Sequence, residues 1–517
     1  MVLIWADLLA TYVTWIMQKY LTDVWKVGFT HAAGIMNVYT GLTKLFPFIL
    51  FLFGDFGVDN YWILLLSSIA FSSGLGFLSM STPPALHKLT HTCANYQPNC
   101  IGHTQKAIFY TGLALTAVGV SGHIVSLAAF ALDQLERGQV VDKTSNRQQS
   151  PQPEEDISKL QFQPVEAMLE LFNRQNQRNG SSISGLRLSG VIFVLIVAVI
   201  ALIALPYIQP WKLRFGIPAI FTLAATLLFI QGSCEYQGSR LGFSDRDIRT
   251  QSQKRRVIIR MLPVWITCII CSVVTSVGNT FFVEQASHLN YKVGKLKFPD
   301  STLLLLYEAA KLGFKRVYNR MEVAGGRMYA PATGIALATI CSALCCIFAA
   351  IAETHRIHVI RSDGLIDKPN EKIPMTVFLL VPQFFLLGGL DSFYENSVAA
   401  FLNDQSPPSM KKYLVYLNPG LSGLGIMGSV LSVHLVGKIS EKGGNKSWFQ
   451  HDLNESHLNY YYWVLAGLSA ANFLWFLLTA ICFPFPDTEP VSSDTKPKTT
   501  GNELQNGDLL TLITENT

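Results

Sequence analysis

The sequence predicts an all-α membrane protein of about twelve transmembrane helices, since runs of the roughly 20 apolar residues that a span needs recur from Met1 to Phe483. Three observations carry this. Half of the residues are hydrophobic and only 15% are charged, with a mean hydropathy of +0.30. The apolar runs are continuous, not alternating, which argues against barrel strands and leaves helices as the structure that satisfies its own backbone in lipid. Several runs also hold a charge or a histidine, namely Lys44, His123, Asp391 and Glu395. A charge in hydrocarbon is costly and faces a bundle interior or a water-filled path, so the chain reads as one that moves a polar solute.

The expected spans follow in order. The first, 2–21, starts at once in the apolar run from Val2 to Met17, without the basic flank of a cleavable signal. The second, 31–54, carries Lys44, and the third is 61–82. The fourth, 106–133, carries His123 among Ser121, Gly122 and Ser126. The fifth and sixth are 188–208 and 215–233. The seventh, 258–283, contains Cys268 and Cys271, a C-x-x-C without the strand context of a redox motif; these are expected to be small packing residues. The eighth, 301–314, is short and charged at Glu308 and Lys311, expected to be a local pair. It is either lengthened by its flanks or lies partly in the interface. The ninth is 331–352, and the tenth, 375–401, holds Asp391 and Glu395. The last two are 413–437 and 459–483.

Two polar stretches divide these runs, 137–187 and 234–257, the second ending in Lys254, Arg255 and Arg256. The positive-inside rule puts both in the cytosol. The expected organisation is a six-helix bundle over 1–233 with the 137–187 insert, a central loop at 234–257, a second six-helix bundle over 258–484, and a disordered cytosolic tail at 485–517. The loops 84–105, 353–374 and 438–458 then lie outside, although 353–374 holds Arg356, Arg361, Lys368 and Lys372. On that side Cys93 and Cys100 are candidates for a disulfide, with two free thiols the alternative. Asn445 and Asn454 open glycosylation sequons there, Asn454 close to the next helix. The net charge of +5 is spread over loops, and no basic cluster with interleaved aromatics points to nucleic acid. No cofactor is expected, and no metal or nucleophile constellation suggests an enzyme. The oligomeric state is not legible.

Several stretches resemble the plant nitrate and peptide transporter family, part of the proton-coupled oligopeptide transporters of the major facilitator superfamily. They are Arg260-Met-Leu-Pro-Val-Trp265, Thr280-Phe-Phe-Val-Glu-Gln285, Ile208-Gln209 with Phe215-Gly-Ile-Pro-Ala219, and Val381-Pro-Gln383 followed by Gly388. Trp448-Phe449, Asp452-Leu-Asn454, His457-Leu-Asn-Tyr460 and Trp463 to Ala470 add the strongest match, and Asn37, Gly41, Pro47, Asp55, Tyr61-Trp62, Phe130 and Asp133-Gln134 keep the family's spacing. The resemblance implies the major facilitator fold and a small-molecule substrate, with protons as a further partner. The departures remove the family's first-helix coupling motif, so its proton-coupling machinery is not carried over to this chain. Leu3, Ala6 and Asp7 stand where the family's first helix carries E-x-x-E-R, and Ile124, preceded by His123, stands where its fourth helix carries a Lys. Asn60 replaces an Arg, Lys44 replaces a Tyr, and Asp391 replaces the Glu of the tenth helix.

Proton coupling requires a titratable group whose charge responds to burial and to a neighbour. Asp7, His123 and Asp391 are the candidates, the first alternatively an interfacial residue and the second a hydrogen-bonded packing histidine. Asp391 follows Gly388-Gly389, and Glu395 lies one turn on along the same face. Lys44, a compact point charge, suits an anion. Lys44 and Asp391 are expected to face one cavity from opposite halves and to pair. Tyr39, Trp265, Phe384, Phe385 and Tyr394 are expected to line it. The function expected is secondary transport of a small polar or anionic solute (nitrate, peptide, hormone or conjugate) by alternating access, in the plasma membrane sooner than the vacuolar one. The alternative is a transport-deficient sensor or scaffold of the same fold.

Overall fold

The computed structural model describes residues 2–54, 59–83, 85, 101–143, 208, 210–232, 251–293, 296–299, 302–325, 329–366, 368, 371–405, 408–442, 444 and 446–482. Among them the helices are α1 (Val2–Asp23), α2 (Phe29–Gly54), α3 (Asn60–Met80), α4 (His103–Lys143), α5 (Trp211–Gln231), α6 (Gln251–Ser287), α7 (Thr302–Gly325), α8 (Ala330–Ser362), α9 (Val381–Gln405), α10 (Pro408–Ser440) and α11 (Leu458–Cys482). Nine of the described helices are long and apolar enough to cross a membrane; α1 and α7 are not among these. The 188–207 part of the expected fifth span, the 144–187 part of the insert and the tail from 485 lie outside the described residues.

Each expected span that falls on described residues is helical, but several helices run past the apolar run that announced them. Main-chain hydrogen bonding continues a helix wherever nothing breaks it, whether or not its side chains suit lipid. Thus α4 continues to Lys143, α6 starts at Gln251, and α7 is lengthened by its polar flank to 24 residues. Pro47, Pro218, Pro263 and Pro419 lie inside α2, α5, α6 and α10, where neighbouring helices absorb the lost hydrogen bond. A two-residue antiparallel ladder, β1 (Lys292–Val293) with β2 (Leu296–Lys297), closes the turn after α6.

The chain to Phe483 forms one compact unit. Within it α3 packs on α4 and α5, while α8 packs on α9 and α11, and α7 on α9. Lipid offers no hydrophobic drive between helices, so close backbone approach and hydrogen bonds hold them. Gly119 of α4 lies so near Phe71 that a Cβ would stand 2.7 Å from its backbone. Tyr20, Trp25, Phe109, Trp211 and Phe215 knit α1, α4 and α5 into an aromatic cluster. The first five helices meet the last six along two lines, α2 against α10 and α6, and α1 against α6. These seams position the charged groups.

Candidate functional site

The α2–α10 seam is built on two glycines. A Cβ on Gly41 would lie 2.8 Å from Gly423 O, and one on Gly423 would lie 2.5 Å from Gly41 O. Backbone contact at this point lets short side chains bridge the helices. Above it Asn37 Nδ2 donates to Ser429 Oγ at 3.0 Å. Below it Lys44 Nζ donates to Ser422 Oγ at 3.4 Å, and Ser272 of α6 donates to the same Ser422 Oγ at 3.1 Å. Farther along, the Phe51 and Tyr416 rings lie 4.6 Å apart. Lys44 is half-buried, and its partner is a neutral hydroxyl. The expected pair with Asp391 does not form, because Lys44 is turned towards α10.

Asp391 instead sits on α9 facing α6 and α7. Thr275 donates to its Oδ1 at 2.6 Å, and the Tyr307 hydroxyl donates to its Oδ2. Both carboxylate oxygens are thus satisfied within the last six helices. One turn on, Glu395 accepts an ion pair from Lys311 at 2.8 Å. Lys311 therefore joins α7 to α9: its side chain is buried, on the face that α7 turns to α9, and Glu308 lies close by on its own helix. Between the two sites lie Tyr394, beside Ser272 and Cys268, and Asn418, one turn from Ser422. Asn418 Oδ1 is buried without a hydrogen-bond partner among the described residues.

At the far end of the α1–α6 seam, Gln18 Nε2 donates to Thr280 O at 2.9 Å and Thr22 donates to Glu284 Oε2 at 3.4 Å. His288 lies 3.3 Å from the other oxygen of Glu284. Asp23 sits beside this group. Desolvation by the packed helix ends raises its carboxyl above the ordinary value; Lys19 opposes the shift and Glu284 adds to it. The sequence reading passed over Glu284, although it lies within the quoted Thr280–Gln285 stretch.

Arg356 corrects another expectation. Assigned to an outer loop, it is fully buried in α8. Its Nε and Nη2 donate to Glu353 at 2.8 and 2.6 Å, Nη2 also to Leu453 O at 2.9 Å, and Nη1 to Asn454 Oδ1 at 3.0 Å. Gln285 donates to Glu353 at 2.6 Å, and Gln383 to Gln285 at 3.2 Å. The apolar window closed at 352 while the helix continued. Asn454 is buried in this network, and its Nδ2 donates to Leu365 O at 3.2 Å, so the sequon amide is used inside the fold and not offered to solvent.

His123 belongs to the α3–α4 contact: its Nε2 lies 2.9 Å from Ser68 Oγ and its ring stands edge-on to Phe71. Tyr39 is buried against a small, mainly apolar cleft among α1, α2, α3 and α4. Phe384 is fully buried, whereas Phe385 is 45% exposed on the bundle exterior. Cys268 and Cys271 are buried free thiols, as expected of packing residues. Asp7 lies in α1, with its side chain outside the described part. Cys93, Cys100 and Asn445 also lie outside the described residues.

The sequence profile of the POT family, named PTR2, matches residues 240–449. Protein NRT1/PTR FAMILY 5.5 of Arabidopsis thaliana is 30% identical over 92% of this chain and 95% of its own length. Protein NRT1/PTR FAMILY 5.12 of the same plant is 24% identical, covering 88% and 86%. Among solved structures, the peptide transporter POT in complex with sulfate superposes with a TM-score of 0.62 at 11% identity, over 93% of each chain. A mutant of the nucleoside transporter NupG gives 0.54 at 11% identity, over 92% of this chain and 98% of its own. At such identities these likenesses speak for the fold alone, the two-bundle major facilitator architecture that the seams divide. With the full-length relative at 30% identity, the chain belongs to the NRT1/PTR family of multi-pass membrane transporters, within the POT family.

Proposed function

We propose that this protein carries a small polar or anionic solute between its two helix groups by alternating access, with Lys44 as the solute's counter-charge. One observation carries the reading: a half-buried ammonium at the α2–α10 seam whose only hydrogen-bond partner among the described residues is the Ser422 hydroxyl. A cation in a low-dielectric seam is stabilised by an anion far more than by a neutral hydroxyl. The Asn418 amide oxygen, one turn from Ser422 and without a hydrogen-bond partner among the described residues, adds a polar group that a bound solute would satisfy. The hydrogen bonds across the seam are made by short polar side chains, Asn37 with Ser429 and Lys44 with Ser422, which can break and re-form as the groups rock.

The titratable groups open to proton coupling are Asp7 on α1, Glu284 with His288 at the α1–α6 seam, His123 on α4, and Asp391 and Glu395 on α9. The test is uptake into proteoliposomes of a panel of nitrate, small carboxylates and dipeptides, by the wild type and by Lys44→Gln. Uptake of an anionic member that Lys44→Gln abolishes without loss of folded protein supports the reading. Unchanged uptake in the variant removes Lys44 from it.

A further inference from the structure

The helix α7 is the odd member of the bundle. It is 24 residues long but not apolar enough to be a span by composition, and its polar residues are sorted by face. Leu303, Leu304, Tyr307, Lys311 and Tyr318 are buried against the neighbouring helices. On the opposite face Leu312, Val317 and Val323 are exposed, at 45%, 47% and 87%. Arg316 and Arg320 are exposed on that same face. Neither guanidinium has a hydrogen bond or ion pair among the described residues, whereas Lys315 and Glu322, on the flanks, are engaged in the fold.

Depth makes this pair unusual. At about 1.5 Å per residue, Arg316 and Arg320 lie about 21 and 27 Å along α7 from Thr302. The hydrocarbon core is about 30 Å thick, so a spanning α7 would carry both in its second half, towards one headgroup region. Lys254, Arg255 and Arg256 occupy the first turns of α6; as consecutive spans α6 and α7 would run in opposite directions, which puts these residues at the end of the bundle where α7 finishes. Arginines one turn apart are neighbours on a helix surface, and their forks match phosphate oxygens. Long basic side chains lay their stems on apolar surface and send the head to the interface.

We propose that the outward face of α7 from Leu312 to Val323 binds an anionic phospholipid of the adjoining leaflet. Arg316 and Arg320 hold the phosphate, and Leu312, Val317 and Val323 lie along the acyl chains. The occupant is a lipid and not a soluble anion, because the arginines are ringed by exposed apolar side chains instead of lining a cleft. The site has a route to transport. The buried face of the same helix carries Tyr307 and Lys311, which hold Asp391 and Glu395, so a lipid that fixes α7 fixes those two contacts. The binding claim does not depend on which solute is carried.

The test uses the full chain in nanodiscs of phosphatidylcholine mixed with phosphatidylserine, followed by mass spectrometry of the lipids that stay bound on extraction into detergent. The wild type is expected to retain phosphatidylserine above its share of the mixture. Arg316→Gln with Arg320→Gln is expected to lose that enrichment, on the order of tenfold for two charges at a membrane surface. Lys106→Gln with Lys438→Gln, the same charge change at the other end of the bundle, is expected to keep it. No enrichment by the wild type overturns the proposal, and that arm holds even where the arginine variant does not fold. Equal loss in the lysine control, or full displacement of the lipid by inorganic phosphate, overturns it as well.

Discussion

The ammonium of Lys44 on α2 reaches the hydroxyl of Ser422 on α10 at 3.4 Å, so the two helix groups meet at a cation whose partner is neutral. That contact separates two charges that the sequence alone invites one to pair. Asp391 is satisfied by Thr275 and Tyr307 and has no need of Lys44.

This separation has a measurable consequence. Residues without shared partners add in a double-mutant cycle to within about 0.5 kcal/mol, whereas a direct pair shows coupling of about 0.5–3 kcal/mol. Lys44→Ala and Asp391→Ala are expected to have additive effects on thermal stability in detergent. Strong coupling between them would show that the two charges meet in the resting protein.

Arg356 and Glu353 form the most deeply buried ion pair described, tied to Gln285, Asn454 and Leu453. Removing one partner of such a pair strands the other, at about 3–5 kcal/mol, whereas replacing both by apolar residues of similar volume costs far less. Arg356→Met alone is expected to lower expression and thermal stability sharply, and Arg356→Met with Glu353→Leu to recover much of the loss. A double variant as unstable as the single would mean that the hydrogen bonds to Asn454 and Leu453 matter more than the charge balance.

The rim of the α1–α6 seam should sense pH through Asp23. Its carboxyl is raised above 3.8, first by desolvation, so the folded state binds this proton more tightly than the unfolded chain does. The resulting stabilisation is fully present below 3.8 and is lost as pH rises through the raised value. The effect is small, because Lys19 opposes the shift. Asp23→Asn, neutral throughout, is expected to flatten the fall of the melting temperature as pH rises through the acid range. An identical pH profile in the variant would assign that fall to other groups.

The sequence made the helices legible because apolar length is a local property, and it made Asp391, Glu395 and Lys44 stand out because a charge inside an apolar run is conspicuous. Their partners were not legible. Tyr307 reaches Asp391 across 84 residues, and Arg356 reaches Asn454 across 98; no periodicity encodes such contacts. Arg356 was misplaced because an apolar window locates the hydrocarbon part of a helix and not its end. His123 looked the same as a site histidine and as a packing histidine until Ser68 and Phe71 were seen beside it.

The central claim is that solute passes between the helix groups, so the α2–α10 seam has to open during transport. Asn37 and Ser429 meet across it through their side chains at 3.0 Å, so cysteines at these positions are the pair chosen for a cross-link. The decisive measurement is uptake by Asn37→Cys with Ser429→Cys in proteoliposomes, oxidised and then reduced, beside each single variant and with a solute that the wild type carries. The account predicts that oxidation stops uptake only in the double variant and that reduction restores it. Full uptake with the cross-link in place would contradict it.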